Sequence, residues 1–193
     1  MNILIIGGGG LIGQKLARAL AQNGTLRGVP ITQLTLADIN DPAPMDAPFP
    51  VATARCDIAD PASVAATVTD KIDVIYLLAA IVSSHAEEDF DAGMSINLFG
   101  TYNVLERCRI LGTKPVVVFT SSIAIYGGEA VDPLGDHSYP NPQTSYGAQK
   151  AIGEILINDY TRKGFIDGRA FRLPTISVRP GKPNRAASGF MSS

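Results

Sequence analysis

The chain has 193 residues, of which 46% are hydrophobic and 18% charged, a composition typical of one globular domain with a substantial core. Its formal net charge of -2 provides no basic surface for nucleic acid, so small-molecule chemistry is the better expectation. No apolar run is long enough to span a membrane and the first strand begins at residue 3, which predicts a cytoplasmic protein without a signal peptide.

The chain opens with a predicted strand at residues 3–6 and an amphipathic helix at residues 11–22. Four consecutive glycines lie between them and fit two spacings, Gly8-x-Gly10-x-x-Gly13 and Gly7-x-x-Gly10-x-x-Gly13. Residues without a Cβ let the backbone approach a pyrophosphate, whose charge then meets the N-H groups and positive end of the helix. The stretch therefore predicts a dinucleotide site, with an ordinary tight turn as the alternative.

A second strand is predicted at residues 33–37 and ends at Asp38. In a nucleotide-binding fold an acid at this position faces the adenosine ribose, accepts hydrogen bonds from its hydroxyls and repels the 2′-phosphate of NADP. Ile39 and Asn40 provide no cation to reverse that preference. Asp38 therefore predicts NAD as the cofactor, with a turn aspartate as the alternative.

The middle of the chain predicts further strand and helix units. Asp60-Pro61 is typical of an N-cap and first helical residue, here for a helix at residues 62–69. Continuous apolar runs, which are typical of parallel strands covered on both faces, follow at residues 74–80 and 116–119. We therefore predict an α/β fold with a Rossmann-like doubly wound parallel sheet and helices on both faces.

A long helical pattern at residues 87–111 places apolar residues at intervals of three and four, most of them expected in the core: Phe90, Met94, Leu98, Tyr102 and Leu105. The next strand opens onto Thr120, Ser121 and Ser122 at its carboxyl end, where open parallel sheets bind ligands. Because neighbouring residues of a strand point to opposite faces, we expect one serine to face the site and the other the core.

A second strong helix is predicted at residues 145–162, with Tyr146 and Lys150 on one face of its first turns. The lysine ammonium and the positive nicotinamide of bound NAD would lower the pKa of Tyr146 by favouring its phenolate. Such a phenol can accept the proton of an alcohol as hydride leaves. The alternative is a solvated pair on the helix surface.

Taken together, these motifs resemble those of the extended short-chain dehydrogenases, the NAD-dependent epimerase/dehydratase family. The resemblance covers the whole chain and implies that Ser122 holds the reacting oxygen, Tyr146 is the acid/base and Lys150 holds the nicotinamide ribose. The NAD-binding residues that it implies, together with those predicted above, are Gly7, Gly10, Leu11, Ile12, Gly13, Asp38, Asp57, Ile58, Leu78, Ala79, Ala80, Asn97, Tyr146, Lys150, Pro174 and Ile176.

Residues 177–181 differ from the tyrosine-glycine-proline stretch usual in nucleotide-sugar epimerases, which argues against a nucleotide-sugar substrate. The resemblance implies oxidation of the C2 hydroxyl of a small sugar acid to the 2-oxo acid. Ser83, Ser122, Tyr146 and Arg179 are the expected substrate-binding residues, with Arg179 holding the carboxylate, although Arg179 and Ser83 could equally serve the surface and a turn. An epimerase or dehydratase with tightly bound NAD and a non-catalytic NAD-binding module are the alternatives.

Members of the family run well beyond 193 residues, so we expect residues 1–193 to be the NAD-binding Rossmann domain, truncated before most of a C-terminal substrate lobe. The family commonly pairs its two long helices in a dimer, and here they carry surplus apolar residues, which predicts a homodimer: Leu98, Tyr102, Ile155 and Tyr160. Cys56 and Cys108 lack metal-ligand spacing and are expected to be buried thiols, so we predict no metal.

Overall fold

The structure, a computed structural model, describes residues 1–128, 133–135 and 137–176. Its strands are β1 (Asn2–Ile6), β2 (Thr25–Leu26), β3 (Val29–Pro30), β4 (Gln33–Asp38), β5 (Val51–Arg55), β6 (Val74–Leu77), β7 (Val116–Ser122) and β8 (Asp167–Leu173). Its α-helices are α1 (Leu11–Asn23), α2 (Pro61–Thr67), α3 (Ser83–Glu88), α4 (Phe90–Gly93), α5 (Gly100–Leu111) and α6 (Ser145–Arg162). A π-helical turn, Met94–Phe99, joins α4 to α5, and a 3-10 turn, Ile123–Ile125, follows β7.

Six of the strands form one parallel sheet in the order β5-β4-β1-β6-β7-β8, and β2 pairs with β3 as a short antiparallel ribbon. After β1 the chain therefore adds β4 and β5 on one side of it, and then returns to add β6, β7 and β8 on the other side. This reversal between β1 and β6 is the switch point at which doubly wound sheets open a crevice for ligands. The predicted Rossmann-like fold is confirmed.

The core lies on both faces of the sheet, because alternate residues of β1 point in opposite directions. Ile3 and Ile5 pack in a cluster with residues of α1, whereas Leu4 and Ile6 pack in a second cluster with residues of α5 and α6. All four side chains are fully buried. Burial on both sides explains why the strand has a continuous apolar sequence rather than an alternating one.

The prediction of one long helix at residues 87–111 is wrong at its first turn. It is also wrong for some of the apolar residues expected in the core. Asp89 ends the preceding helix and caps α4, since its Oδ1 accepts a hydrogen bond from the Ala92 N-H at 2.9 Å. The π-helical turn then widens the helix, so residues on either side of it no longer share one 3.6-residue stripe. Accordingly Phe90 and Tyr102 are 57% and 43% exposed, while Leu105 is fully buried as expected.

The remaining differences concern short elements. β8 pairs with β7 over its whole length, and the sequence patterns above do not predict either β8 or the β2–β3 ribbon. Arg27 and Gly28 both have positive φ between β2 and β3, as a tight two-residue hairpin turn requires.

Cys56 and Cys108 are buried free thiols, as predicted, and burial raises the pKa of Cys108 to about 12. In the described ranges of the chain, none of the helices is both long and apolar enough to cross a bilayer, and the side chains there include no cluster suited to a metal ion. The cytoplasmic location stays a prediction.

Candidate active site

A cleft of about 540 Å³ lies at the carboxyl edge of the sheet, between the glycine turn after β1 and the start of α6. Its walls are the segments that follow β1, β6, β7 and β8, so the strand order itself brings them together. Most of the residues predicted to form the site line this cleft: Gly7, Gly10, Leu11, Ile12, Gly13, Leu78, Ala80, Ser83, Ser122, Tyr146, Lys150, Pro174 and Ile176.

The glycines of the turn are needed for different physical reasons. Gly7 has a φ of +94°, and a Cβ at Gly13 would stand 2.2 Å from the Gly7 carbonyl oxygen, so packing requires both. Gly10 caps α1 with an ordinary φ of -75°, and a Cβ there would meet only the Gly7 oxygen, at 3.4 Å. Because the fold does not need a glycine at residue 10, its place in the cleft favours close approach of a ligand to the helix N-terminus.

Asp38 ends β4 beside the glycine turn. Its Oδ2 accepts a hydrogen bond from the Gly9 N-H at 3.0 Å, and its Oδ1 accepts one from the Ile39 N-H at 2.8 Å. Gly9 faces the carboxylate closely, since a Cβ there would lie 3.1 Å from Oδ2. The backbone therefore holds this acid at one end of the turn, outside the cleft lining itself.

Four other residues carried over from the resemblance do not line the cleft: Asp57, Ile58, Ala79 and Asn97. The Asp57 Oδ1 accepts a hydrogen bond from the Ala59 N-H at 2.9 Å, which closes the turn after β5. Ile58 is buried against α5, where a Cβ at Gly100 would approach it to 2.7 Å. These contacts support the fold around the site, and a role of Asp57 and Ile58 in NAD binding stays a prediction.

Ser122 is the last residue of β7, and its hydroxyl accepts a hydrogen bond from the Ala124 N-H at 3.1 Å. Hydrogen bonding with Ser122 also acts on the Tyr146 phenol, where it opposes the rise of the pKa. Ser121 is buried, and its hydroxyl has no hydrogen-bond partner among the described residues. Both serines line the cleft, although only one was expected to face the site. They differ instead in burial, since Ser121 is buried and Ser122 is partly exposed.

Lys150 lies at the cleft floor and is only 2% exposed. Its Nζ donates a hydrogen bond to the Thr120 carbonyl at 2.9 Å and lies 4.7 Å from the centre of the Phe119 ring. The low-dielectric surroundings disfavour the ammonium and lower the pKa of Lys150 to about 8. Lys150 is therefore a cation that can lose its proton close to neutral pH.

In the protein without NAD the pKa of Tyr146 is raised, and the lowering predicted for the NAD-bound protein stays a prediction. Burial is the larger cause, and the hydrogen bond from Ser122 offsets only part of it. The Lys150 Nζ lies 5.7 Å from the centre of the Tyr146 ring and is hydrogen-bonded to a backbone carbonyl. Without a second positive charge, desolvation of the phenolate outweighs the attraction of the lysine.

The sequence patterns do not predict part of the cleft wall, which includes Ile81, Val82, Ile123, Ala124 and Leu173. These residues form no recognisable motif, but each belongs to a segment at or just after the carboxyl end of β6, β7 or β8. Their position in a parallel sheet is the signal that could have found them. Arg179 lies outside the described residues.

Comparison with known proteins relates the chain to one family. The model of the NAD dependent epimerase/dehydratase family matches residues 3–193. The chain is similar to D-erythronate dehydrogenases from Cupriavidus necator and Haemophilus influenzae, at 51% and 48% identity over 100% of this chain. It spans 60% of the length of each of these curated relatives.

Solved structures give the same grouping. A nucleoside-diphosphate-sugar epimerase from Agrobacterium tumefaciens is 48% identical, with a TM-score of 0.94 over 100% of this chain and 58% of that one. A uronate dehydrogenase variant from the same organism, complexed with NAD, is 30% identical with a TM-score of 0.68, covering 84% of this chain and 56% of that one.

The different demands on the glycines lead to a first prediction. Gly10→Ala is expected to change the free energy of unfolding by no more than about 1 kcal/mol, because its Cβ has room. It should nevertheless weaken NAD binding about tenfold or more by pushing the pyrophosphate away from the helix N-terminus. Gly13→Ala is the contrasting variant, and its backbone clash should cost about 1 to 3 kcal/mol of stability. Urea unfolding and NAD titration measure the two effects, and unchanged NAD affinity in Gly10→Ala would contradict the assignment.

A second prediction concerns pH. In the unfolded chain Lys150 keeps its proton to about pH 10.5, whereas in the fold its pKa is about 8, so between these values the unfolded state binds more protons. The free energy of unfolding of the cofactor-free protein should therefore rise between pH 8 and pH 10, relative to Lys150→Met. The full gain is at most about 3 kcal/mol. Urea unfolding of both proteins across this range measures it, and a constant difference between them would show that Lys150 titrates normally.

Proposed function

Because the chain belongs to the NAD-dependent epimerase/dehydratase family, we propose that it forms the NAD-binding domain of a dehydrogenase acting on a small sugar acid, D-erythronate or a close analogue. The reaction is oxidation of the C2 hydroxyl to a 2-oxo acid. The observation that carries the proposal is the meeting of Ser122, Tyr146 and Lys150 in the cleft that the glycine turn borders. The two D-erythronate dehydrogenases similar to the chain over its whole length support this choice of substrate.

For the cofactor, the proposed arrangement puts the pyrophosphate of NAD at Gly10 and the N-terminus of α1. The adenosine ribose then lies towards Asp38, whose carboxylate accepts hydrogen bonds from ribose hydroxyls and repels the 2′-phosphate of NADP. At the other end Lys150 holds the nicotinamide ribose, and the segment from Pro174 to Ile176 lies against the nicotinamide amide. Both ends of this arrangement border the same cleft or its glycine turn.

For the reaction, bound NAD would supply the acceptor for the hydride on C2, and Tyr146 would accept the hydroxyl proton. Loss of the hydride and the proton would leave the C2 carbonyl. Ser122 donates a hydrogen bond to the reacting oxygen as charge develops there. Burial alone disfavours the phenolate of Tyr146, and the positive nicotinamide of bound NAD would supply the added charge that favours it.

For the substrate, Ser83 is the described residue placed to contribute a hydroxyl from the segment after β6. It begins α3 and lines the same cleft as Ser122 and Tyr146. The proposed partner of the substrate carboxylate is Arg179, because a guanidinium can bind a carboxylate through two parallel hydrogen bonds.

A second candidate function is epimerisation or dehydration of a nucleotide sugar. The observation in its favour is the solved structure of a nucleoside-diphosphate-sugar epimerase, which is 48% identical to the chain. Such an enzyme keeps NAD bound and regenerates it in each cycle, whereas a dehydrogenase releases NADH. A non-catalytic NAD-binding module would bind NAD and produce neither result.

The proposal predicts NADH formation when the full-length protein is mixed with four-carbon or five-carbon sugar acids and NAD, followed by absorbance. The protein should prefer NAD to NADP by at least tenfold.

Tyr146→Phe should lower turnover by about a hundredfold or more, because the general base is lost, while NAD affinity is kept. The matched control is Tyr139→Phe, a tyrosine that is 87% exposed.

Three results would contradict the proposal. Turnover unaffected by Tyr146→Phe would remove that residue from the chemistry. Copurified NAD without net NADH release would favour the epimerase. NAD binding without turnover of either substrate class would favour the non-catalytic module.

We also propose that the protein is a homodimer, paired through the face made by α4, α5, the π-helical turn and α6. This face exposes large apolar side chains, which include Phe90, Phe99, Tyr102, Ile152 and Ile155. Tyr160, expected there from the sequence, is instead buried and hydrogen-bonded to Glu106. Ile155→Lys should shift the full-length protein from dimer to monomer in sedimentation at micromolar concentration, whereas Val29→Lys on the β2–β3 ribbon should not. A wild-type monomer under these conditions would refute the dimer.

A further inference from the structure

Gln149 is a buried polar residue whose amide oxygen is hydrogen-bonded and whose amide nitrogen is not. It lies in α6, three residues after Tyr146 and directly before Lys150, and it is 1% exposed. Its Oε1 accepts a hydrogen bond from the Asn97 Nδ2 at 2.8 Å, but its Nε2 has no partner among the described residues. An unsatisfied buried donor destabilises a fold by about 1 to 3 kcal/mol. A methionine would fill the same space without that cost, so the amide needs another explanation.

The partner of Gln149, Asn97, is itself held against the backbone of the cleft wall. Asn97 lies in the π-helical turn, and its Oδ1 accepts a hydrogen bond from the Ile81 N-H at 2.9 Å. Its Nδ2 also lies 3.4 Å from the Ile81 carbonyl oxygen. Local π-helical turns are frequent at functional sites because they turn a side chain out of the ordinary helical register.

The Ile81 backbone and the carbonyl of Gln149 together decide which way the Asn97 amide faces. The Ile81 N-H selects the Asn97 oxygen, and the Gln149 Oε1, which can only accept a hydrogen bond, selects the NH₂ side. An apolar residue at 149 would leave the Asn97 Nδ2 with only the longer contact, 3.4 Å, to the Ile81 carbonyl. The Asn97 amide would then hold the Ile81 N-H less firmly.

Ile81 belongs to the wall of the active-site cleft. Residues 80–83 follow β6 and line the same cleft as Ser122, Tyr146 and Lys150. The chain of contacts from Gln149 through Asn97 to Ile81 therefore joins the helix that carries the acid/base to the part of the cleft wall that follows β6, and both side chains in it are buried.

We propose that Gln149 is a positioning residue, which acts through Asn97 to hold residues 80–83 in register with Tyr146 and Lys150. This inference rests on the proposed dehydrogenase function. Its physical basis is that a substrate bound between two walls reacts efficiently only when their spacing is fixed within a fraction of an ångström. The unsatisfied Nε2 is then a cost in stability that accompanies a gain in positioning.

Two substitutions separate positioning from stability. Gln149→Met removes both the acceptor and the unsatisfied donor at similar volume, so its free energy of unfolding should equal or exceed that of the wild type. Its kcat with a sugar acid and NAD should nevertheless fall about tenfold. Gln149→Glu keeps an acceptor oxygen but buries a carboxyl group, so it should be less stable than Gln149→Met and yet more active. Gln22→Met, the same change at an exposed position of α1, is the control.

Gln149→Met should be the more stable of the two variants and Gln149→Glu the more active. This opposite order is the result that distinguishes a positioning role from a structural one. If Gln149 served only the fold, activity would follow stability, and Gln149→Met would be at least as active as the wild type. That outcome would overturn the proposal.

Hydrogen exchange followed by mass spectrometry tests the same link without substrate or NAD. In Gln149→Met the peptide that contains Ile81 should exchange about tenfold faster, because Asn97 then holds the Ile81 N-H less firmly. It should exchange at the wild-type rate in Gln149→Glu and Gln22→Met. Unchanged exchange in Gln149→Met overturns the proposal whatever the activity. If the wild-type full-length protein oxidises no sugar acid, the proposed function fails, and the exchange result alone decides whether Gln149 positions the wall.

Discussion

The site depends on one close contact within the glycine turn, between the Gly7 carbonyl oxygen and the α-carbon of Gly13. No side chain fits there, since a Cβ on residue 13 would stand 2.2 Å from that oxygen, and Gly7 itself lies against the Ala79 N-H on the other side. The contact sets the first turn of α1 directly on the end of β1, next to β6. The sheet reverses its order at this place, so the N-terminus of α1 points into the crevice that the fold opens.

Burial then governs the chemistry of the two titrating groups in the cleft. It raises the pKa of Tyr146 and lowers the pKa of Lys150 to about 8, so both changes favour the neutral side chain. In such surroundings a positive charge that arrives with a ligand acts over a short distance through little solvent, and its effect on a phenol is large. The lysine alone does not lower the pKa of Tyr146, so the lowering predicted from the sequence depends on the added charge of bound NAD and stays a prediction.

Features set by local spacing could be predicted from the sequence, and features set by contacts between distant segments could not. The glycine turn, Asp38 at the end of β4, and the pair Tyr146 and Lys150 each follow from residues close together in the chain. The break at Asp89 and the π-helical turn shift the register of a helix whose apolar pattern looks continuous, so Phe90 and Tyr102 were wrongly placed in the core. Gln149 gives no signal in the sequence, because a polar residue on a helix is normally exposed.

The structure further shows α6 tied to three neighbouring strand ends in turn. Lys150 donates to the Thr120 carbonyl of β7, and Gln149 reaches the segment after β6 through Asn97. One turn later the Glu154 carboxylate accepts hydrogen bonds at 3.0 and 2.9 Å from the Arg172 guanidinium of β8, just before Pro174. A helix fixed at successive positions to three strands cannot rotate or slide without breaking buried polar contacts. The tyrosine on its first turn is therefore oriented by the sheet as a whole.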